Sequence, residues 1–284
     1  MPSEIQLFHD DNRHPSESFT FPGGEIQVRF PSLPQQLAGD ISVLARLQSP
    51  DAIIRLLLAC EVIARVHRGG RKTLVVPYFP YARQDRVMQE GEAFSLKSIA
   101  SLINRLGFDE VVTCDPHSDV TSALVENIRI IPQVDLVVAH EGIGRIIHSD
   151  ITVVAPDAGA AKKAFAVANH YRLPLLTASK VRDVTTGAIT HTEVHDAASV
   201  AGRSALIVDD ICDGGRTFIE LAKVLRSQGA NRVFLFVTHG IFSQGLGVFN
   251  GLIDAVFTTD TFLSRDVESP HQAPVPLHIS TIHF

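Results

Sequence analysis

Ala205-Leu206-Ile207-Val208-Asp209-Asp210-Ile211-Cys212-Asp213-Gly214-Gly215-Arg216-Thr217 is the stretch whose reading decides the fold. The unbroken apolar run 205–208 predicts a buried strand. Two adjacent carboxylates follow, Asp209 and Asp210, and a third stands at Asp213. Gly214-Gly215-Arg216-Thr217 then makes a turn before the helical spacing of residues 218–225. A strand feeding a glycine turn and a helix N-terminus makes an anion site, because first-turn amides point outward and the helix dipole favours negative charge. Adjacent acids at the strand tip suit sugar hydroxyls or a metal ion, not a phosphate. Together the two halves read as a cradle for a sugar phosphate. A lone Gly-Gly would read as an ordinary βα turn; three acids ahead of it favour the cradle.

The same grammar recurs on either side. Strands are predicted at 5–8, 26–30, 40–44, 73–77, 110–114, 151–155, 174–178, 187–194, 205–208, 232–238, 255–259 and 277–281. Helices are predicted at 51–67, with Asp51 in capping position after Pro50, and at about 95–106, 160–170 and 218–225. Alternating strands and helices imply an α/β protein with mainly parallel sheets covered on both faces. A change of segment near 133–149 divides the chain into domains 1–140 and 141–284 of similar design. Polar residues gather after strand C-termini, where open α/β sheets bind ligands.

Composition excludes several classes. Apolar residues make up 45% of the 284, enough for one large α/β core or two ordinary ones. A formal net charge of −6 argues against a general nucleic-acid binder, which carries a basic face. The three cysteines, Cys60, Cys114 and Cys212, form no CxxC, so neither a zinc site nor a disulfide framework is indicated and a reducing cytoplasm fits. No signal-peptide pattern opens the chain, and no apolar run approaches the roughly 20 residues of a membrane span.

Other strand ends carry chemistry. Tyr78-Phe79-Pro80-Tyr81-Ala82-Arg83-Gln84-Asp85-Arg86 places arginines after an aromatic turn. Arginine reads phosphate bidentately and stacks on flat rings, so Arg83 suits a nucleotide base or phosphate. Asp115-Pro116-His117 and Asp157 also end strands. A histidine, an aspartate and substrate phosphates can share Mg²⁺, which takes few protein ligands. Lys180 and Arg182 alternate on an extended segment after a strand; such cations can neutralise a transferring phosphoryl group, or form the base of an exposed hairpin. The P-loop signature GxxxxGK[ST] is absent.

FPGGEIQVRF (21–30), PYFPYARQDR (77–86), CDPH (114–117), PDAG (156–159) and VDDICDGGRT (208–217), in this order, resemble the ribose-phosphate pyrophosphokinase family, enzymes that make phosphoribosyl pyrophosphate. The likeness runs from about Phe21 to His239. The tyrosine-alanine-arginine-glutamine-aspartate run is specific to that family; the acidic loop is shared with type I phosphoribosyltransferases. The resemblance implies two phosphoribosyltransferase-like domains, the first on the ATP side and the second binding ribose 5-phosphate. It implies Asp209 and Asp210 on the sugar hydroxyls, and Asp213, Gly214, Gly215, Arg216 and Thr217 around the 5-phosphate. ATP would lie against Arg83 and Gln84, with Phe21 and Glu25 reaching adenine from a neighbouring subunit of a homo-oligomer. His117 and Asp157 would position Mg²⁺-ATP, and Lys180 and Arg182, on a mobile loop, would steady the transition state together with His117.

The chain departs from the family pattern in three places. Gly214-Gly215-Arg216 replaces the usual small residues and glycine before Thr217, so Arg216 either grips the phosphate or points outward as a cation against the helix dipole. Val87-Met88-Gln89-Glu90-Gly91-Glu92 replaces a strongly basic loop tied to phosphate and ADP regulation. The chain ends at Phe284, soon after its last strand, where the family has a further helix. Two other functions fit parts of the sequence: a type I phosphoribosyltransferase, which does not need Arg83, Gln84 and His117, and a non-catalytic regulatory subunit, against which the intact acids and cations weigh.

Overall fold

The computed structural model describes residues 5–10, 12–147, 150–182, 189–194, 200–263 and 275–284. The chain divides into two compact units, Met1–Ile131 (with Phe284) and Pro132–His283. Among the described residues there are fifteen strands and seven α-helices.

The first unit is built on a six-stranded sheet in the order β2-β1-β5-β6-β7-β8. Its strands are β1 (Ile5–His9), β2 (Asn12–Pro15), β5 (Ile41–Ala45), β6 (Lys72–Val75), β7 (Glu110–Cys114) and β8 (Ile128–Ile131). β5 to β8 run parallel, while β1 is antiparallel to both β5 and β2. A separate hairpin pairs β3 (Glu17–Thr20) with β4 (Ile26–Arg29). β2, β3 and β8 escape the sequence reading because each has only four residues and little alternation.

Helix α1 (Pro50–Val66) begins earlier than expected. Ser49, not Asp51, caps it: the Ser49 hydroxyl accepts from the Ala52 amide at 3.2 Å. Pro50 takes the first turn, where no amide hydrogen is needed, and Asp51 favours the dipole. Helix α2 (Ser95–Asn104) and helix α3 (Asp119–Leu124) complete the unit.

The second unit carries a seven-stranded sheet in the order β11-β10-β9-β12-β13-β14-β15. These are β9 (Ile151–Ala155), β10 (Leu175–Arg182), β11 (Ile189–Val194), β12 (Ser204–Cys212), β13 (Arg232–Gly240), β14 (Ala255–Thr259) and β15 (Leu277–Ser280). All neighbours are parallel except β10 with β11. Successive strand residues face opposite sides, and every residue of β9, of β14 and of 204–208 in β12 is buried, so both faces of the sheet centre are covered. Helices α4 (Gln133–Ala139), α5 (Glu141–Ile146), α6 (Ala161–Tyr171) and α7 (Arg216–Ser227) belong to this unit. Leu221, Ala222 and Leu225 of α7 are fully buried in its core with Ala205, Ile207 and Val233.

Candidate active site

The apolar run at 205–208 does not end the central strand. β12 continues through Asp209, Asp210, Ile211 and Cys212, pairing with β13 in register Asp209↔Val237 and Ile211↔His239. The two acids are therefore strand residues, and their side chains interact. Asp210 is 6% exposed. One oxygen of Asp209 accepts from the Asp210 amide at 2.9 Å. Burial pushes the Asp209 carboxyl well above the usual carboxylate range, with the charges of Asp210 and then Asp157 adding to the shift. Burial also pushes the Cys212 thiol up to about 12, so this cysteine is no thiolate nucleophile.

Two side chains that the sequence reading passed over hold this pair. Gln133, 2% exposed at the start of α4, donates its Nε2 to the Asp209 carbonyl at 2.7 Å. Lys163 of α6 sets its Nζ 3.4 Å from Asp210 Oδ2. Lys162-Lys163 in the opening turns of a helix was the available signal, since cations there oppose the dipole and ask for a compensating acid. Gln133 left none, because its partner lies far along the sequence in β12.

The turn after β12 is shaped by glycine. Gly215 caps α7 at φ +80°, and a Cβ there would stand 2.7 Å from the Phe249 ring. Both facts require glycine. The amides that open α7 are the first-turn groups that the sequence reading offers to an anion. Thr217 is half-buried beside that turn, whereas the Arg216 side chain is exposed on the first turn of the helix. Asp213 and Gly214 are half-buried in the same turn.

Asp157 ends β9 and turns inward on its own loop: its Oδ1 accepts from the amides of Gly159 at 3.0 Å and Ala160 at 3.2 Å. It thereby orders the entry to α6 and adds to the charge that Asp209 feels. At the ends of β13 and β14, His239 Nδ1 lies 2.8 Å from Thr261 Oγ1, and Thr259 and Thr261 hydroxyls donate to the Thr238 carbonyl at 2.7 and 2.9 Å. This fully buried polar knot fixes the floor next to Gln133, whose Nε2 is 3.5 Å from Thr238 Oγ1.

Lys180 and Arg182 are not beyond a strand but in one. β10 extends to Arg182 because β11 pairs with it, Lys180 opposite Thr192 and Arg182 opposite Ile189, with an irregularity between Val181 and Arg182. Their side chains, and residues 183–188, lie outside the described residues.

In the first unit, the loop 78–86 follows β6 and the turn 115–117 follows the neighbouring β7. Phe79 and Ala82 are buried and anchor the loop, while Arg83 and Gln84 are exposed. The Gln84 amide donates to the Tyr81 carbonyl at 2.9 Å, across a Tyr81 held at φ +59°. Asp85 is buried and grips Arg86 bidentately, Nε to Oδ1 at 2.8 Å and Nη2 to Oδ2 at 3.1 Å. The Arg86 guanidinium holds the Asp85 carboxyl below the usual range, and His117 contributes to the same shift. The loop and the His117 turn therefore share one end of the sheet. Asp115 is buried with φ +37°, and His117 beyond it is exposed.

Phe21 and Glu25 bracket the β3–β4 turn, with the Phe21 amide donating to the Glu25 carbonyl at 2.8 Å. Phe21 is 46% exposed and stacks edge-on against Phe19 at 5.0 Å. The loop 87–92, expected to lack basic character, closes on itself: Glu92 Oε2 accepts from the amides of Met88 and Gln89, each at 3.1 Å.

Comparison with known proteins fits this geometry. Residues 5–107 match the family model for the N-terminal domain of ribose phosphate pyrophosphokinase, and residues 137–245 match that for the phosphoribosyl transferase domain. A ribose-phosphate pyrophosphokinase of Pasteurella multocida is 30% identical, over 90% of this chain and 81% of that protein. The chain belongs to the ribose-phosphate pyrophosphokinase family. One of Haemophilus influenzae is 31% identical over 88% of this chain and 79% of that one. The solved phosphoribosylpyrophosphate synthetase of Mycobacterium smegmatis superposes with a TM-score of 0.76 over 95% of this chain and 86% of that one, at 24% identity, which shows a shared fold. Members of the family are phosphoryl-transferring enzymes. Among the described residues, no helix is long and apolar enough to cross a membrane.

Proposed function

We propose that this protein is an active ribose-phosphate pyrophosphokinase serving nucleotide synthesis in the cytoplasm. The C1 hydroxyl of ribose 5-phosphate attacks the β-phosphorus of ATP in line. The bond from that phosphorus to the oxygen bridging the α-phosphate breaks, AMP leaves with that oxygen, and the hydroxyl proton is released. The observation that carries the reading is the adjacent Asp209–Asp210 pair on β12, running directly into the Gly215-capped start of α7, in a chain of this family. The acids suit ring hydroxyls, and the helix start suits the 5-phosphate.

The second unit is proposed as the ribose 5-phosphate domain: Asp209 and Asp210 on the hydroxyls, residues 213–217 on the phosphate. The first unit is proposed as the ATP side, with Arg83 and Gln84 exposed at a strand tip and suited to base and phosphate. Phe21 and Glu25, exposed on a hairpin, are proposed to complete an adenine site for a neighbouring subunit of a homo-oligomer. Mg²⁺ is proposed to arrive with ATP, where it would neutralise the phosphate chain. His117 and Asp157 are proposed to position Mg²⁺-ATP, as the family resemblance implies. Mg²⁺ takes few protein ligands and binds largely through phosphate oxygens. Lys180 and Arg182 are proposed to meet the charge that develops in transfer.

The test is AMP release from ATP, ribose 5-phosphate and Mg²⁺, followed with and without inorganic phosphate. AMP and phosphoribosyl pyrophosphate forming in equal amounts are expected. Folded protein that binds both substrates and yields no AMP overturns the reading.

A further inference from the structure

Asp210 is an acid with little access to water: its side chain is 8% exposed. A carboxylate in that position needs a partner, because desolvation without compensation is costly. The compensating cation comes from another element. Lys163 of α6 lies 3.4 Å away, and its own side chain is 24% exposed, so neither charge is a freely solvated surface group. Lys163 also stands in the opening turns of α6, where the dipole disfavours a cation and the first turn holds no acid. The lysine thus gains little from its helix and much from the acid. Asp157 orders the start of that same helix through the Gly159 and Ala160 amides, which ties the position of Lys163 to the turn after β9.

We propose that Lys163 is a positioning residue for the sugar site: it holds the Asp210 carboxylate in place as an acceptor for ribose hydroxyls. Lys163 acts through Asp210 and is not a catalytic residue. The proposal rests on the reading of 209–217 as the ribose 5-phosphate cradle. An ammonium at this spot lowers the repulsion between Asp209 and Asp210, leaving an acid pair preset before the sugar arrives. A sugar hydroxyl then donates to an oxygen that is already oriented.

The test compares K163M and K163R with the wild type by calorimetric titration with ribose 5-phosphate alone, and by steady-state AMP release. K163M is expected to weaken ribose 5-phosphate binding and raise its KM by about tenfold, while KM for ATP stays within twofold. K163R, which keeps the charge, is expected within threefold of the wild type in both measurements. In a D210N background, K163M is expected to add little, because the two residues act as one unit. Unchanged sugar binding in K163M, equal losses for both substrates, or K163R no better than K163M would overturn the proposal. K163Q carries the same expectations should K163M fail to fold; if both neutral variants unfold while K163R does not, Lys163 is structural and the proposal fails. The calorimetric arm needs no turnover. A wild type that binds the sugar phosphate but releases no AMP therefore sinks the proposed activity and leaves Lys163 still judged by its own measurement.

Discussion

The strand ends at 209–217 and 83–86 are both rich in charge, but they are built differently. At 209–217 the charges are part of the sheet. Asp210 is buried, Asp209 is desolvated, and Gln133, Lys163 and the Asp210 amide hold them from three directions. At 83–86 the buried charge is Asp85, and it is spent on Arg86. Arg83 and Gln84 stand exposed on a loop anchored by Phe79 and Ala82. A rigid site is preset for its ligand, whereas exposed side chains give up conformational freedom only when a ligand or subunit covers them. In the proposed reading, the sugar side is the preset one and the nucleotide side the exposed one.

Asp210→Ala should break the sugar side most severely. Charge-assisted hydrogen bonds to the hydroxyls and the Lys163 partner are lost together, so kcat/KM for ribose 5-phosphate should fall by about 100-fold or more, with ATP affinity nearly unchanged. Steady-state kinetics with each substrate varied checks the split. Gly215→Val should come next. It forces a Cβ against Phe249 at a positive φ, and a loss of about 2–3 kcal/mol is expected, readable as a melting temperature lower by about 5 °C or more. On the other side, Arg83→Ala should raise KM for ATP by about tenfold and leave ribose 5-phosphate binding alone. If it weakened the sugar instead, the contrast between the two regions would collapse.

A subtler difference is one of pH. The Asp209 carboxyl titrates above its unfolded value, so the fold disfavours its charged form. Asp209→Asn should therefore stabilise the substrate-free protein at neutral pH, by about 2–4 °C in melting temperature. The advantage should shrink as pH falls toward about 4, where the unfolded carboxylate also takes up its proton. The same variant should bind ribose 5-phosphate poorly, separating stability from function. The smallest effect belongs to Arg216→Ala. Its exposed side chain leaves phosphate binding to the backbone, so KM for ribose 5-phosphate should rise by no more than about threefold.

Much of this was legible beforehand. The apolar runs of β6, β7, β9, β12, β13 and β14 announced the parallel sheets, since buried strands need no alternation. The glycine turn and helix at 214–227 were equally plain. What the sequence concealed is instructive. Ile211-Cys212 lies beyond two acids, and a reading by hydropathy stops the strand at Val208. Pairing with β13 carries it four residues further. Lys180 and Arg182 were likewise placed past a strand that β11 in fact extends. Local composition records propensity, and ladder hydrogen bonds from distant segments override it.

The sequence by itself determined the α/β class, the family, and which residue types meet at the strand ends. Those depend on periodicity and on short motifs, which are local. Only the tertiary structure decided that the buried Asp85 carboxylate rests on Arg86, and that the acid pair rests on Gln133 and Lys163. The second is settled by packing between elements far apart in sequence, where burial selects the partner of each charge. The cradle at 205–217 is written in one stretch of chain, but groups that hold its acids come from two others, the start of α4 and the start of α6.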